Sequence, residues 1–162
     1  MGEKVITVDQ SFTHTAWIVW EGDEVLDFGV INSNKDDIIY KRAEDIAKVL
    51  VKKVNEHEPS VFIIEQMAFS AMGNAMKNLA GLLFVICVAI KRGTHLGYDD
   101  MVFPTPTGAK KAMTGKGRAT KQEILAAVPE DVVKLLGSKY KKTKGLYDLA
   151  DCVAFKTWYD KQ

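Results

Sequence analysis

Lys4-Val5-Ile6-Thr7-Val8-Asp9 and Val61-Phe62-Ile63-Ile64-Glu65 are two apolar runs that each end on an acid. Reading them as strands decides the fold. Lys4–Asp9 is followed by the polar turn Gln10-Ser11-Phe12-Thr13-His14-Thr15, then by a second strand, Ala16–Trp20. Glu21-Gly22-Asp23-Glu24 reads as a tight hairpin turn, with Gly22 supplying the unusual backbone angle. Val25–Ile31 is the third strand. Val61–Glu65 is apolar throughout, which marks a strand covered on both faces and therefore central.

Between and after these strands the spacing predicts helices. Asn32-Ser33-Asn34 offers N-caps for a helix over about 36–56, whose Ile39, Ala43, Ile46, Val49, Leu50 and Val54 share a face. A second helix is expected over about 71–91. Met101–Phe103 is a short fifth strand, stopped by Pro104 and Pro106. Helices follow around Gly108–Met113 and Lys121–Ala127, and another after Pro129. The lysine loop Lys139–Gly145 leads into a last helix, Tyr147–Tyr159. The reading is an α/β fold with a five-stranded mixed sheet, its first three strands antiparallel, flanked by helices. The 162 residues suit one domain over 1–162.

The acids at the strand ends then need an explanation. Burying an isolated carboxylate costs several kcal/mol or forces it to neutralise. Two more, Asp148 and Asp151, begin the apolar helical stretch Leu149-Ala150-Asp151-Cys152-Val153-Ala154-Phe155 and lie one turn apart on one face. Singly, each has a plainer reading. Asp9 suits an Asx-type turn, Glu65 suits an ion pair, and one of the helix acids suits an N-cap. Together they read as one site, because the first and fourth strands are expected to be neighbours whose C-terminal ends the last helix can cross. Four hard oxygen donors with no His or Cys in register select magnesium or manganese over zinc. Two such ions about 3.5–4 Å apart are a common device for phosphodiester hydrolysis.

The net charge of +1 hides an asymmetry. Residues 1–103 hold 10 Lys/Arg against 15 Asp/Glu, whereas residues 104–145 hold 10 against 3. A basic stretch beside an acidic centre fits a polyanionic substrate, and a solvated lysine-rich surface is the plainer alternative. Lys110, Lys111, Lys116, Arg118 and Lys121 surround Gly115 and Gly117, and Lys139, Lys141, Lys142 and Lys144 surround Tyr140, an aromatic that could stack on a base. Gly115-Lys116-Gly117 lacks the spacing of a P-loop. Cys87 and Cys152 read as buried free thiols of a reducing compartment. No signal peptide is read, and the apolar run Leu79–Ile90 falls short of a bilayer span. A cytoplasmic, non-membrane protein is expected, in a bacterium or, for a phage product, its host.

Val8-Asp9-Gln10-Ser11, Ile63-Ile64-Glu65-Gln66 and Asp148-Leu149-Ala150-Asp151-Cys152-Val153-Ala154 resemble the RuvC family of Holliday-junction resolvases, within the RNase H-like, retroviral-integrase superfamily. The element order matches over nearly the whole chain. Ser11 stands where the family usually has Gly, as in a divergent, phage-like branch. The resemblance implies a homodimeric, magnesium-dependent endonuclease that nicks opposing strands of a four-way junction, leaving 5′-phosphate and 3′-hydroxyl ends. It implies Asp9, Glu65, Asp148 and Asp151 as metal ligands. It implies phosphate contact or charge stabilisation by Lys110, Lys111 and Lys121. It implies base stacking by Phe69, just after the catalytic Glu, with a core Phe the plainer alternative. It also favours a dimer through the helix around 71–91, near or on which Met67, Met72 and Met76 read either as core filler or, with Leu79, Leu83 and Ile86, as part of an adaptable dimer face. Three other readings stay open: an RNase H-like nuclease for another substrate such as RNA–DNA hybrid, a binding module that holds junctions without cutting, and an actin-like ATP site. The last wants glycine-rich phosphate loops that this chain lacks.

Overall fold

The structure, a computed structural model, describes residues 2–67 and 73–162. Strands β1 (Lys4–Asp9), β2 (Thr15–Glu21) and β3 (Glu24–Ile31) form an antiparallel meander. Helix α1 (Ile39–His57) leads to β4 (Val61–Ile64), and α2 (Asn74–Gly93) to the two-residue β5 (Met101–Val102). Helices α3 (Pro106–Thr114), α4 (Lys121–Ala127), α5 (Glu130–Gly137) and α6 (Leu146–Asp160) complete the chain. The sheet order is β3-β2-β1-β4-β5, with β1 parallel to β4 and β4 parallel to β5. The expected five-stranded mixed sheet is therefore the observed one, with β1 at its centre.

The two-residue alternation of the strands builds two cores. Ile6, Val8, Trp17, Val19, Phe62 and Ile64 face α1 and α2, which contribute Ile46, Leu50, Val54, Leu82, Ile86 and Ile90. Val5, Ile18, Trp20 and Ile63 face the other way, onto Leu149, Val153 and Phe155 of α6 and residues of α3–α5. Trp17 and Trp20 thus serve opposite cores. The one polar residue inside β1, Thr7, accepts from Trp20 Nε1 at 3.0 Å and donates to the Ile18 carbonyl at 3.4 Å, so its burial leaves nothing unsatisfied.

Three expectations are corrected. Helix α1 starts at Ile39, later than expected, and has no side-chain cap. Asn34 Oδ1 instead accepts from the Asp36 N–H at 3.0 Å, a local turn that competes with helix. Ser33 is likewise engaged, accepting from Arg42 Nε at 2.8 Å. Tyr140 is no base-stacking platform. It packs edge-on against Phe28, 6.2 Å between centroids, and its hydroxyl accepts from the Val30 N–H of edge strand β3 at 3.2 Å. Helix α2 has 20 residues, close to the length expected, but unlike the shorter run Leu79–Ile90 it could by length and composition alone cross a bilayer. Here Leu82, Leu83, Ile86 and Ile90 pack it into the core with α1. Phe69 and Met72, and the expected first turn of α2, lie outside the described residues.

His57 Nε2 meets Asp27 Oδ2 at 2.9 Å, and Lys53 Nζ lies 3.4 Å from the same oxygen. This pairing ties β3 to the end of α1. Its ammonium group explains why the Asp27–Glu56–His57 cluster needs no metal to balance its charge. Gly145 fixes the start of α6. Its φ is 124°, and a Cβ there would come within 2.5 Å of Val30 Cγ2. Only glycine lets the chain pass so close to β3 and turn into the helix.

Candidate active site

Register brings the first two acids together. Val8 pairs with Ile64 across the parallel β1–β4 ladder, so Asp9 and Glu65 follow side by side at the C-terminal edge of the sheet. Helix α6 crosses that edge with Asp148 and Asp151 in its first two turns. Cys152 anchors the crossing: its thiol donates to the carbonyl of Ala16, the residue opposite Asp9 in the β1–β2 ladder, at 3.5 Å. Asp9, Asp148 and Asp151 each place a carboxylate oxygen within 4.8 Å of the others.

The electrostatics follow from this crowding. Burial raises the pKa of Asp9 well above the usual carboxylate range, and the charges of Asp151, Glu65 and Asp148 raise it further. Asp9 and Asp151 are hydrogen-bonded and titrate as a pair, with the proton favoured on Asp9. Burial raises Asp151 to about 6, aided by the charge of Asp148. Burial raises Glu65 to about 7, aided by Asp151. Asp148 is raised by burial and held back by His14 and Lys121. Asp9, Asp148 and Asp151 thus form the tight group, and Glu65 acts on it from beside Asp9 and Asp151. Among the described residues no ion pair neutralises any of the four, although Lys110 acts on Glu65 and Asp151 from a distance. Oxygen donors that repel one another in a poorly solvated cleft fit a divalent cation.

The surroundings complete the cleft. Ser11 Oγ accepts from the Thr13 and His14 N–H groups at 3.0 and 3.2 Å, a side-chain turn that carries His14 to Asp148. A cavity of about 290 Å³ opens between Asp9, Glu65, Asp151 and Lys110, floored by Ala154 and Phe155. Thr105 caps α3 by accepting from the Gly108 N–H at 3.1 Å, which sets Lys110 on the cleft wall.

Of the basic residues picked from the sequence, Lys110 and Lys121 are near the acids. Lys141, Lys142 and Lys144 are exposed just before α6, and Lys111 and Arg118 are exposed on and after α3. Lys116 is engaged with Glu123 at 3.1 Å, and Lys139 lies over the Phe28 ring, 4.8 Å from its centroid. Sequence reasoning gave no role to Gln10. Only 7% exposed, it lines the cleft beside Asp9 with no hydrogen-bond partner for either side-chain polar atom. The signal was its position: two residues beyond Ile6 and Val8, a polar group continues an apolar face.

The shifted acids make a testable statement about stability. Glu65 moves from 4.5 to about 7 and Asp151 from 3.8 to about 6, so the folded chain binds these protons more tightly than the unfolded chain. Their contribution to stability is therefore present at low pH and withdrawn as pH rises through that window. In metal-free buffer, Glu65→Gln should flatten the fall of Tm between about pH 4.5 and 7 and raise Tm above wild type at neutral pH. Thermal melts across pH check this. An unchanged slope would mean that Glu65 is not a strained acid.

Comparisons agree with this arrangement. Residues 8–156 match the family described as "Crossover junction endodeoxyribonuclease RuvC". A protein of that name from Mycobacterium sp. (strain KMS) is 31% identical over 161 residues, covering 93% of this chain and 79% of the relative. Another, from Neorickettsia sennetsu, is 29% identical, covering 99% and 96%. The fold matches Thermus thermophilus RuvC in complex with Holliday junction substrate, at TM-score 0.74, 20% identity and coverage of 98% and 93%. It also matches the yeast mitochondrial Holliday junction resolvase Ydc2, at TM-score 0.58, 11% identity and coverage of 98% and 80%. With four acids at the places where the fold gathers β1, β4 and α6, and a family match across almost its whole length, this chain belongs to the RuvC family of crossover junction endodeoxyribonucleases.

Proposed function

We propose that this chain resolves four-way DNA junctions by paired nicks, hydrolysing one phosphodiester in each of two opposing strands to leave 5′-phosphate and 3′-hydroxyl ends. The observation that carries the reading is the set of four carboxylates raised by burial and by one another, in a chain of this family. Asp9, Glu65, Asp148 and Asp151 would hold two magnesium ions, with manganese able to substitute. When bound, the ions supply the positive charge that activates a water and stabilises the departing 3′ oxygen. Asp9, Asp148 and Asp151, whose carboxylate oxygens lie within 4.8 Å of one another, would hold the ions together with Glu65 beside them. Lys110 and Lys121 bring cationic charge to the same cleft for the phosphate. Lys111, Arg118, Lys141, Lys142 and Lys144 extend a basic surface away from it, suited to the arms of a branched duplex.

Two symmetric nicks call for two sites, and a twofold dimer provides them. The surface of α2 suits this role. Phe84 is 61% exposed, and Val85 and Val88 are about 40% exposed beside it. Next to them a groove of about 330 Å³ lies between α1 and α2, lined by Phe12, Tyr40, Gly81 and Val85. An apolar face of this kind is out of keeping with a monomer's surface. Pairing of two copies through α2 would cover it.

Two experiments test these readings. On a panel of four-way junction, flap, RNA–DNA hybrid and linear duplex in magnesium, wild type should nick the junction symmetrically. Glu65→Gln should bind it normally while cleaving about a hundredfold more slowly or worse. Near-normal cleavage by this variant, or preference for the hybrid, would count against the assignment. Phe84→Glu should shift sedimentation from dimer to monomer and uncouple the two nicks. A dimer that persists would move the interface elsewhere.

A further inference from the structure

Among the described residues, Gln10 is the one buried polar side chain whose burial has no visible return. It is 7% exposed, and neither Oε1 nor Nε2 finds a partner among the described residues. It lines two adjoining cavities. One, of about 290 Å³, contains Asp9, Glu65, Asp151 and Lys110. The other, of about 160 Å³, is walled by Met67, Met76 and Leu79 beside Asp9 and Glu65. A desolvated amide without a partner destabilises a fold, so a structural role would have supplied one.

We propose that Gln10 is a substrate-binding residue, its amide N–H donating to a phosphate oxygen of the DNA strand to be cut. The proposal rests on the junction-cleaving function proposed above. The setting favours a neutral donor at this point. A phosphodiester entering beside Asp9 and Glu65 meets negative charge, and needs hydrogen-bond donors to stay there. A lysine at position 10 would pair with those carboxylates and oppose their binding of a cation. A carboxamide donates without charge. Apolar walls on the α2 side keep water from competing, which strengthens the bond once DNA fills the cleft. Lys110 lines the same cavity, so the two side chains would hold the same stretch of backbone. The amide oxygen, turned the other way, would accept from a water carried in with the phosphate.

The test uses Gln10→Met, which keeps length and removes both polar atoms, with Gln10→Leu as a second variant. In EDTA and without DNA, Tm should rise by about 2–4 °C, because two unsatisfied groups have left the interior. In magnesium, KM for a four-way junction should rise by about tenfold or more, with a smaller change in kcat. A fall in Tm for both variants would overturn the proposal, because it would make Gln10 a structural residue. Unchanged KM and kcat in a protein whose wild type cleaves junctions would overturn it as well. If wild type cleaves no junction, the proposed function fails instead, and the rise in Tm still separates a costly polar group from a structural one.

Discussion

Asp9, Glu65, Asp148 and Asp151 repel one another across a cleft from which much of the water has been removed, and the rest of the molecule is organised to hold them there. Raising Glu65 from 4.5 to about 7 disfavours its ionised form by roughly 3 kcal/mol. That strain can be sustained only if the elements carrying the acids are fixed by contacts elsewhere. Strands β1 and β4 are locked by ladder hydrogen bonds and by apolar packing on both faces. Helix α6 is locked by the buried side of Leu149, Val153 and Phe155, by the Cys152 thiol, and by the tight passage at Gly145. Two cores on opposite sides of one sheet thus hold the acids in place, and the α6-side core also floors their cavity through Ala154 and Phe155.

The division of labour between the two faces follows from this. The α3–α6 side brings both helix acids, Lys110 and Lys121, and the exposed lysines before α6. It is the side where charge is concentrated. The α1–α2 side has charge too, but mostly satisfied within itself, as in the pairs of Lys41 with Asp37 and Asp45 and of Lys53 with Asp27. Its distinctive feature is the apolar surface of α2. A polyanion and a second copy of the chain would therefore meet different faces, with the acid cleft at the sheet edge between them.

Much of this was legible in the chain itself. Strand identity and order could be read because β1, β2 and β4 carry dense β-branched and aromatic runs, and because a parallel β1–β4 pair follows from the intervening helix. The acids could be read because each ends or interrupts an apolar run, where a carboxylate has little local use. What was not legible depended on partners far along the chain. Tyr140 sits among lysines and reads as a base platform, yet Phe28 and the Val30 N–H claim it. The N-cap of α1 was misplaced because Asn34 uses its side chain for a turn of its own. Gln10 was passed over because a polar residue just past a strand reads as loop. Yet position 10 continues the alternation of Ile6 and Val8, the face that α1 and α2 cover, and that alternation was the signal of its burial.

The most direct measurement of the central claim is anomalous diffraction from crystals grown with manganese. The account predicts two peaks in the cleft, held among Asp9, Glu65, Asp148 and Asp151. A map with no peak among these four residues, or with manganese held at Asp27 and His57 instead, would contradict it.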